Sequence, residues 1–260
     1  MRLTKTIILA YLTTAVTTTA ISDNHANANS SMLGVQSIGC TFKSGKDIND
    51  LKNVLDDLSE WSDKNSSIDY SAMVVQPVFS NAAAKLSDAL MMFFYRNVED
   101  LGTGMDEWLS GNDGATKIQS KYESICTQEW QSMWLGQPVR APKEVSKTGA
   151  IRIRLCTLDS ASSPAKMRTA DAAWNKELDS VGIDSGRFRM WPGPGVSPNI
   201  APNQFLSLTG FESVAAYGRT VDTSVANNMR TKFRVIYGDL FSCNNGGLGQ
   251  FEQLRVRAAQ

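Results

Sequence analysis

The side chains best placed to do chemistry in this sequence are arginines. Arg152 and Arg154 alternate with Ile151, Ile153 and Leu155; Arg187 and Arg189 flank Phe188; Arg255 and Arg257 flank Val256. Residues two apart on a strand share a face, so each pair would present two guanidinium groups together. Guanidinium forks match carboxylate and phosphate oxygens. Arg152, Arg154, Arg187, Arg189, Arg255 and Arg257, with Trp191 beside them, are therefore candidate contacts for a small anionic molecule. The same pattern also serves as an exposed or acid-paired sheet face, the more ordinary use of strand arginines.

Other chemistries are narrower. The only histidine is His25, within the first 28 residues. If that leader is removed, the usual base of Ser-His-Asp and Cys-His sites goes with it. So do the commonest zinc ligand and the usual proximal haem ligand. The acid pairs Asp56-Asp57, Glu99-Asp100 and Asp106-Glu107 are sequence neighbours; on a helix they diverge by roughly 100° and form no dyad. Asp106 and Asp222 each follow a glycine-bearing stretch and are expected as helix caps. The Gly246-Gly247-x-Gly249 segment lacks the strand-then-helix setting of a nucleotide loop, and there is no Walker motif. No metal and no cofactor is expected. An apolar pocket is a separate candidate: Met91, Met92, Phe93, Phe94 and Trp191 lie on expected strands and could line a cavity between two sheets, or simply form core. Trp191-Pro192-Gly193-Pro194-Gly195 reads as the lip of such a pocket or as a stiff hairpin loop.

The elements that would position these residues come twice. A shift of 116 residues lays Cys40-Thr41 on Cys156-Thr157, Val98 on Val214, Gly102 on Gly218, Asp106 on Asp222 and Asn112 on Asn228. One further residue brings Cys126 onto Cys243. Their common order points to an internal repeat. In the first copy a strand at 35–42 leads to a helix opened by Asp47, with Ile48, Leu51, Leu55 and Leu58 on one face. Strands at 70–79 and 89–95, a segment through Trp108 and a helix with Ile118, Tyr122 and Ile125 follow. In the second copy a strand at 151–158 leads to a helix capped by Ser163, with Pro164 first and Gly182 after its end. Strands at 187–191 and 204–211, a helix carrying Val225, Met229, Phe233, Ile236 and Leu240, and a strand at 251–256 complete it.

Strand, helix, strand, strand, helix, strand is the ferredoxin-like order. Each sheet then has one face under helices and one face bare, and the other copy is the natural cover. The expected fold is α+β: two ferredoxin-like βαββαβ repeats packed sheet to sheet as a pseudo-two-fold barrel. The expected divisions are a leader at 1–28, repeats at 29–135 and 150–260, and a linker at 136–149. In such a unit the first strand and second helix end at the same side, which predicts disulfides Cys40–Cys126 and Cys156–Cys243. One tension stands: Cys156 shares strand parity with Arg152 and Arg154, so unless a bulge or the loop wrapping over the strand end intervenes, either the bridge or the pocket assignment is wrong.

This arrangement resembles the dimeric α/β-barrel superfamily, fused in tandem. Phe93-Phe94-Tyr95 through Gly102-Thr103-Gly104-Met105-Asp106-Glu107-Trp108, with the early Cys40-Thr41-Phe42, is similar to uncharacterised secreted proteins of marine proteobacteria. The second copy departs from that motif, with Val225 near the position of its tryptophan.

Arg2 and Lys5, the apolar run from Ile7 to Val16 and Ala26-Asn27-Ala28 read as a cleaved export signal, which places the protein in the periplasm or outside the cell. No later segment is long and apolar enough for a membrane helix. With 26 basic and 26 acidic residues, no charge favours nucleic acid as a partner. The leading expectation is non-catalytic binding of a small, partly apolar or anionic molecule between two sheets. The superfamily resemblance implies an alternative, a cofactor-independent monooxygenase-like enzyme; the third is an interaction module with no ligand.

Overall fold

Alternation of apolar residues fixes which way each strand faces, and the strands in turn fix the fold. The computed structural model describes residues 32–80, 87–111, 113–143 and 146–257; the expected leader lies outside them. The first half runs β1 (Leu33–Phe42), α1 (Ile48–Asn65), β2 (Tyr70–Phe79), β3 (Ala89–Tyr95), α2 (Val98–Leu109), α3 (Asp113–Ile125) and β4 (Cys126–Arg140). The second runs β5 (Thr148–Leu158), α4 (Pro164–Ser180), β6 (Gly186–Pro192), β7 (Gln204–Phe211), α5 (Val214–Ala226), α6 (Met229–Tyr237), β8 (Phe241–Cys243) and β9 (Gly247–Arg255).

Eight strands close into one antiparallel barrel in the order β7-β6-β4-β1-β3-β2-β9-β5, with β5 returning to β7 and short β8 extending along β5. The expected α+β barrel is present, but its halves do more than pack sheet to sheet. The halves are hydrogen-bonded edge to edge, along the seams β4–β6 and β2–β9. Separate four-stranded sheets would each leave two unpaired edges, and closure removes all of them. The seam at β4 was not legible in the sequence. Residues 136–140, expected in the linker, pair with β6 from Gly136↔Met190 to Arg140↔Arg187.

The barrel interior is filled by Val35, Val75, Met92, Trp134, Ile151, Met190 and Leu208, with Phe94, Ile153, Phe188 and Leu206 packed against them. Outward-facing residues of the same strands meet the helices. Under α1, α2 and α3 lie Cys40, Tyr70, Ala72, Val74, Met91, Phe93 and Tyr95. Under α4 and α6 lie Cys156, Phe205 and Phe241.

Local signals account for most helix ends. Asp47 caps α1 in a reciprocal box with Asp50. Ser163 caps α4 ahead of Pro164, and Gly182 ends the chain reversal after it at φ +69°. Asp106 and Asp222 are not caps: both sit inside helices opened by Asn97 and Ser213, which accept from Asp100 N and Ala216 N. The glycines near them are helical, so reading them as turns misplaced both starts. The single helix expected through Val225 and Leu240 is broken at Asn228, whose left-handed φ of +51° separates α5 from α6.

Both disulfides form as expected, Cys40–Cys126 and Cys156–Cys243. The second joins directly paired residues of β5 and β8. Disulfides persist in oxidising compartments, and this pair fits an extracellular setting. No helix among the described residues is long and apolar enough to cross a membrane.

Candidate functional site

A cavity of about 390 Å³ lies between helices α1–α3 and the outer face of the first-half sheet. Its floor is strand: Gln36 and Ile38 of β1, Tyr70 of β2, Met91, Phe93 and Tyr95 of β3, and Gln128 and Gln131 of β4. Its roof is helix, with Leu55, Leu58 and Trp61 from α1, Gly104, Met105 and Trp108 from α2, and Ile118 and Tyr122 from α3. Trp61 and Trp108, both in its lining, meet edge to face at 5.2 Å.

Each wall has a cause. α2 is held over the sheet because Glu107 accepts from the Ser66 hydroxyl at 2.5 Å and from Ser67 N and Oγ at 3.1 and 2.6 Å. Burial works to raise that carboxyl's pKa, but these hydrogen bonds outweigh it and leave the group below its ordinary value. Gly104 lets α2 pass close over β3; a Cβ there would stand 3.3 Å from Cε1 of Tyr95, tighter than ordinary contact. Gln36 donates from Nε2 to the Met105 sulfur at 3.5 Å.

The polar groups facing this space are neutral. Ser62 Oγ and Tyr70 Oη share a hydrogen bond of 3.1 Å. The Tyr122 hydroxyl is buried and has no hydrogen-bond partner among the described residues. Burial raises the pKa of Tyr70 and Tyr95 and pushes Tyr122 up to about 12, so all three stay protonated at neutral pH. The site can hold an apolar body and offer amide and phenol groups to a few polar atoms of it.

Of the apolar residues expected between two sheets, Met91 and Phe93 line this cavity from outside the barrel, whereas Met92 and Phe94 turn into the filled interior. The pleat divides the run, so the expected cavity between sheets is replaced by one beneath helices. The Trp191-Pro192-Gly193-Pro194-Gly195 segment is not its lip. Pro194 O accepts from Met133 N, and Gly195 O from the Ser132 hydroxyl, which anchors the loop to β4.

Arg152, Arg154, Arg187 and Arg189 also face outward, on the helix side of the second half, with Ile151 and Ile153 turned inward. That resolves the parity tension, because Cys156 shares this outer face. They do not form one wall. Arg189 makes two bonds to Asp171, 2.7 and 2.6 Å, and is 3% exposed. Asp171 also accepts from Tyr237 Oη at 2.6 Å, and Arg187 donates to that oxygen at 2.9 Å. Arg255 is carried away by register, since β9 pairs β5 only through Glu252 and then follows β2, where Arg255 opposes Ala72. Its guanidinium reaches Asp63 at 2.7 Å and Asp69 at 3.0 Å. Arg257 follows it, with N donating to Ser71 Oγ. Trp191 stacks on Phe205 at 4.7 Å and donates to Gln137 Oε1 at 3.3 Å. Arg152 and Arg154 remain side by side on β5, without an ion pair among the described residues.

Sequence reading missed the helix-side cavity. The signal was present in the Gly102–Trp108 stretch, whose Gly104, Met105 and Trp108 recur at helical spacing on its roof.

Among the described residues no cluster of His, Cys, Asp and Glu is arranged to hold a metal ion. Haem does not fit the lining either. It offers no histidine or cysteine, its thioethers are Met91 and Met105, and its phenols keep their protons.

The fold is similar to that of a candidate monooxygenase from Fusobacterium nucleatum, with a TM-score of 0.51 at 7% identity over 88% of this chain and 95% of that one. A candidate monooxygenase from Lactobacillus acidophilus gives 0.49 at 10% identity, over 87% and 95%. A haem-binding protein from Thermus thermophilus gives 0.48 at 11%, over 85% and 91%. What is shared is the fold, a closed antiparallel barrel of eight strands with its helices outside. No protein-family model matches the chain, and no curated protein does.

Proposed function

We propose that the first-half cavity is the functional site, and that it takes up a small, uncharged, largely apolar molecule with one or two polar atoms. The observation that carries this reading is the cavity's lining. Mostly aromatic and aliphatic side chains line about 390 Å³ of half-open space, and Tyr122 in its wall has a buried hydroxyl with no partner among the described residues. A buried polar group left unpaired costs free energy, which a ligand accepting its hydrogen bond would recover.

The two halves are read as duplicated ferredoxin-like repeats, covering 29–135 and 150–260. Matching strand orders, β4-β1-β3-β2 and β9-β5-β7-β6, support this. Action in the periplasm or outside the cell is supported by the two disulfides and by the residue pattern at 1–28.

A second reading is favoured by the fold shared with a candidate monooxygenase. The bound molecule would be a substrate whose methylene carbon is oxidised by molecular oxygen. One oxygen atom would become its carbonyl, and the other would leave as water with the two hydrogens of that carbon. Tyr122, protonated at neutral pH, would donate to the oxygen that gains charge.

The test is mass spectrometry of small molecules extracted from the native protein and from Gly104→Leu, which fills the cavity while removing a helix-weakening glycine. The reading expects one uncharged compound in near-equal amount with wild type and none with the variant. The same compound in both would overturn it. The enzymatic reading further expects that compound to gain a carbonyl oxygen under air; a compound unchanged under air leaves binding alone.

A further inference from the structure

We propose that the outer face of the second half carries a separate oxyanion site. It is formed by Arg152, Arg154 and Arg187 around the hydroxyls of Ser207 and Thr209, and is suited to phosphate or a phosphate monoester.

The register builds it. On β7, Thr209 stands between Arg152 of β5 and Arg187 of β6, and Ser207 between Arg154 and Arg189. Phe205, on the same strand face, packs beneath the helices, so Ser207 and Thr209 share the arginines' outer side. Directly opposed residues keep their Cβ atoms about 4.5–5.5 Å apart. Two rows of arginine, hydroxyl, arginine therefore lie side by side, and long arginine side chains can reach an anion over the two hydroxyls from either flanking strand.

The charge there is not balanced. Asp171 is committed to both terminal nitrogens of Arg189 and lies 4.0 Å from Arg187. Arg187 shares Asp171 with Arg189 as a long ion pair and gives its hydrogen bonds to neutral acceptors, Tyr237 Oη and Asn175 Oδ1, so one carboxylate serves two arginines. Arg152 has one bond, to the Asn245 carbonyl at 3.0 Å. Arg154 is half-buried, its Nε is sealed from solvent, and its guanidinium has no acceptor among the described residues. Burial first, then the Arg152 and Arg187 charges, lower its pKa to about 10, so it is still a cation at neutral pH. Arginine keeps an uncompensated charge in such a place at a cost that an anion would remove. Three cations and two hydroxyls favour a multiply charged oxyanion over a single carboxylate.

This site is independent of the first-half cavity. At the matching positions of β1 stand Gln36 and Ile38, which carry no charge.

Calorimetric titration of the full disulfide-bonded chain with inorganic phosphate, at fixed ionic strength, tests the proposal. One saturable site is expected, weakened at least tenfold in Arg154→Gln and in the more peripheral Arg152→Gln, and unchanged in Arg96→Gln on the first half. Arg154→Met should raise the melting temperature in phosphate-free buffer and lose the further rise that phosphate gives wild type. Absence of saturation, equal affinity in both β5 variants and wild type, or acetate binding as tightly as phosphate would each overturn it.

Discussion

Gln36 and Arg152 occupy matching places in the two halves. Each lies four residues before a bridged cysteine on the first strand of its half, Cys40 on β1 and Cys156 on β5, and each leaves the barrel on the helix side. One end of this comparison is an amide facing an apolar cavity; the other is a guanidinium beside that of Arg154, which has no acceptor among the described residues. A single pair of positions thus separates a half that holds open space from a half filled by Asp171, Arg189, Tyr237 and their aromatic neighbours.

The filled half makes a stability prediction. Asp171→Asn should destabilise the protein by about 3–5 kcal/mol, because it strands Arg189 in a buried site without its countercharge. Urea denaturation compares the two proteins; a loss below about 1 kcal/mol would mean that Arg189 finds another partner.

The open half makes the reverse prediction. Tyr122→Phe removes a hydroxyl that bonds nothing among the described residues, so stability should stay within about 0.5 kcal/mol of wild type or rise. Affinity for the cavity's ligand should fall several-fold, read by the amount of compound retained after gel filtration.

Alkaline stability should carry opposite signatures from the two sites. Burial pushes the Tyr122 and Tyr237 phenols up to about 12 from an ordinary 10.0. Between those values the folded protein holds protons that the unfolded chain has lost, so their stabilisation, complete below pH 10, fades as pH rises to 12. Arg154 is lowered to about 10 from 12.5, so above pH 10 the folded state sheds its proton first and stability gains from this group. Denaturation midpoints measured across pH 10–12 should therefore fall less steeply in Tyr122→Phe and more steeply in Arg154→Gln.

Much of the fold was legible in the residues. Strand alternation located β2, β3 and β7 to the residue, and the position of the cysteines relative to a ferredoxin-like order gave both disulfides. The site was legible only in pieces. Met91 through Phe94 announced an apolar strand, but which alternate residues faced a cavity depended on where the bulk of the helices lay, and sequence periodicity carries no such information. β4 was lost because Gly136 and Pro138 read as linker composition, although Pro138 pairs with Phe188 at a seam with a register shift. The arginines were found by their alternation, yet their pairing was set by register: seven residues of β9 separate Leu248, beside Arg152, from Arg255, beside Ala72.

The disulfides should matter for different reasons. Cys40–Cys126 ties β1 to β4 beside the cavity, and Cys156–Cys243 ties β5 to short β8. Replacing either pair with alanine should cost about 2–5 kcal/mol. Only the first should also reduce binding in the cavity, measured as ligand retained by the folded fraction.

The most direct test of the central claim is a fluorescence titration with a neutral naphthylamine probe, whose emission rises in apolar surroundings. The account predicts one saturable site per chain, abolished by Gly104→Leu and unaffected by Arg154→Gln. Undiminished probe binding in Gly104→Leu would contradict it.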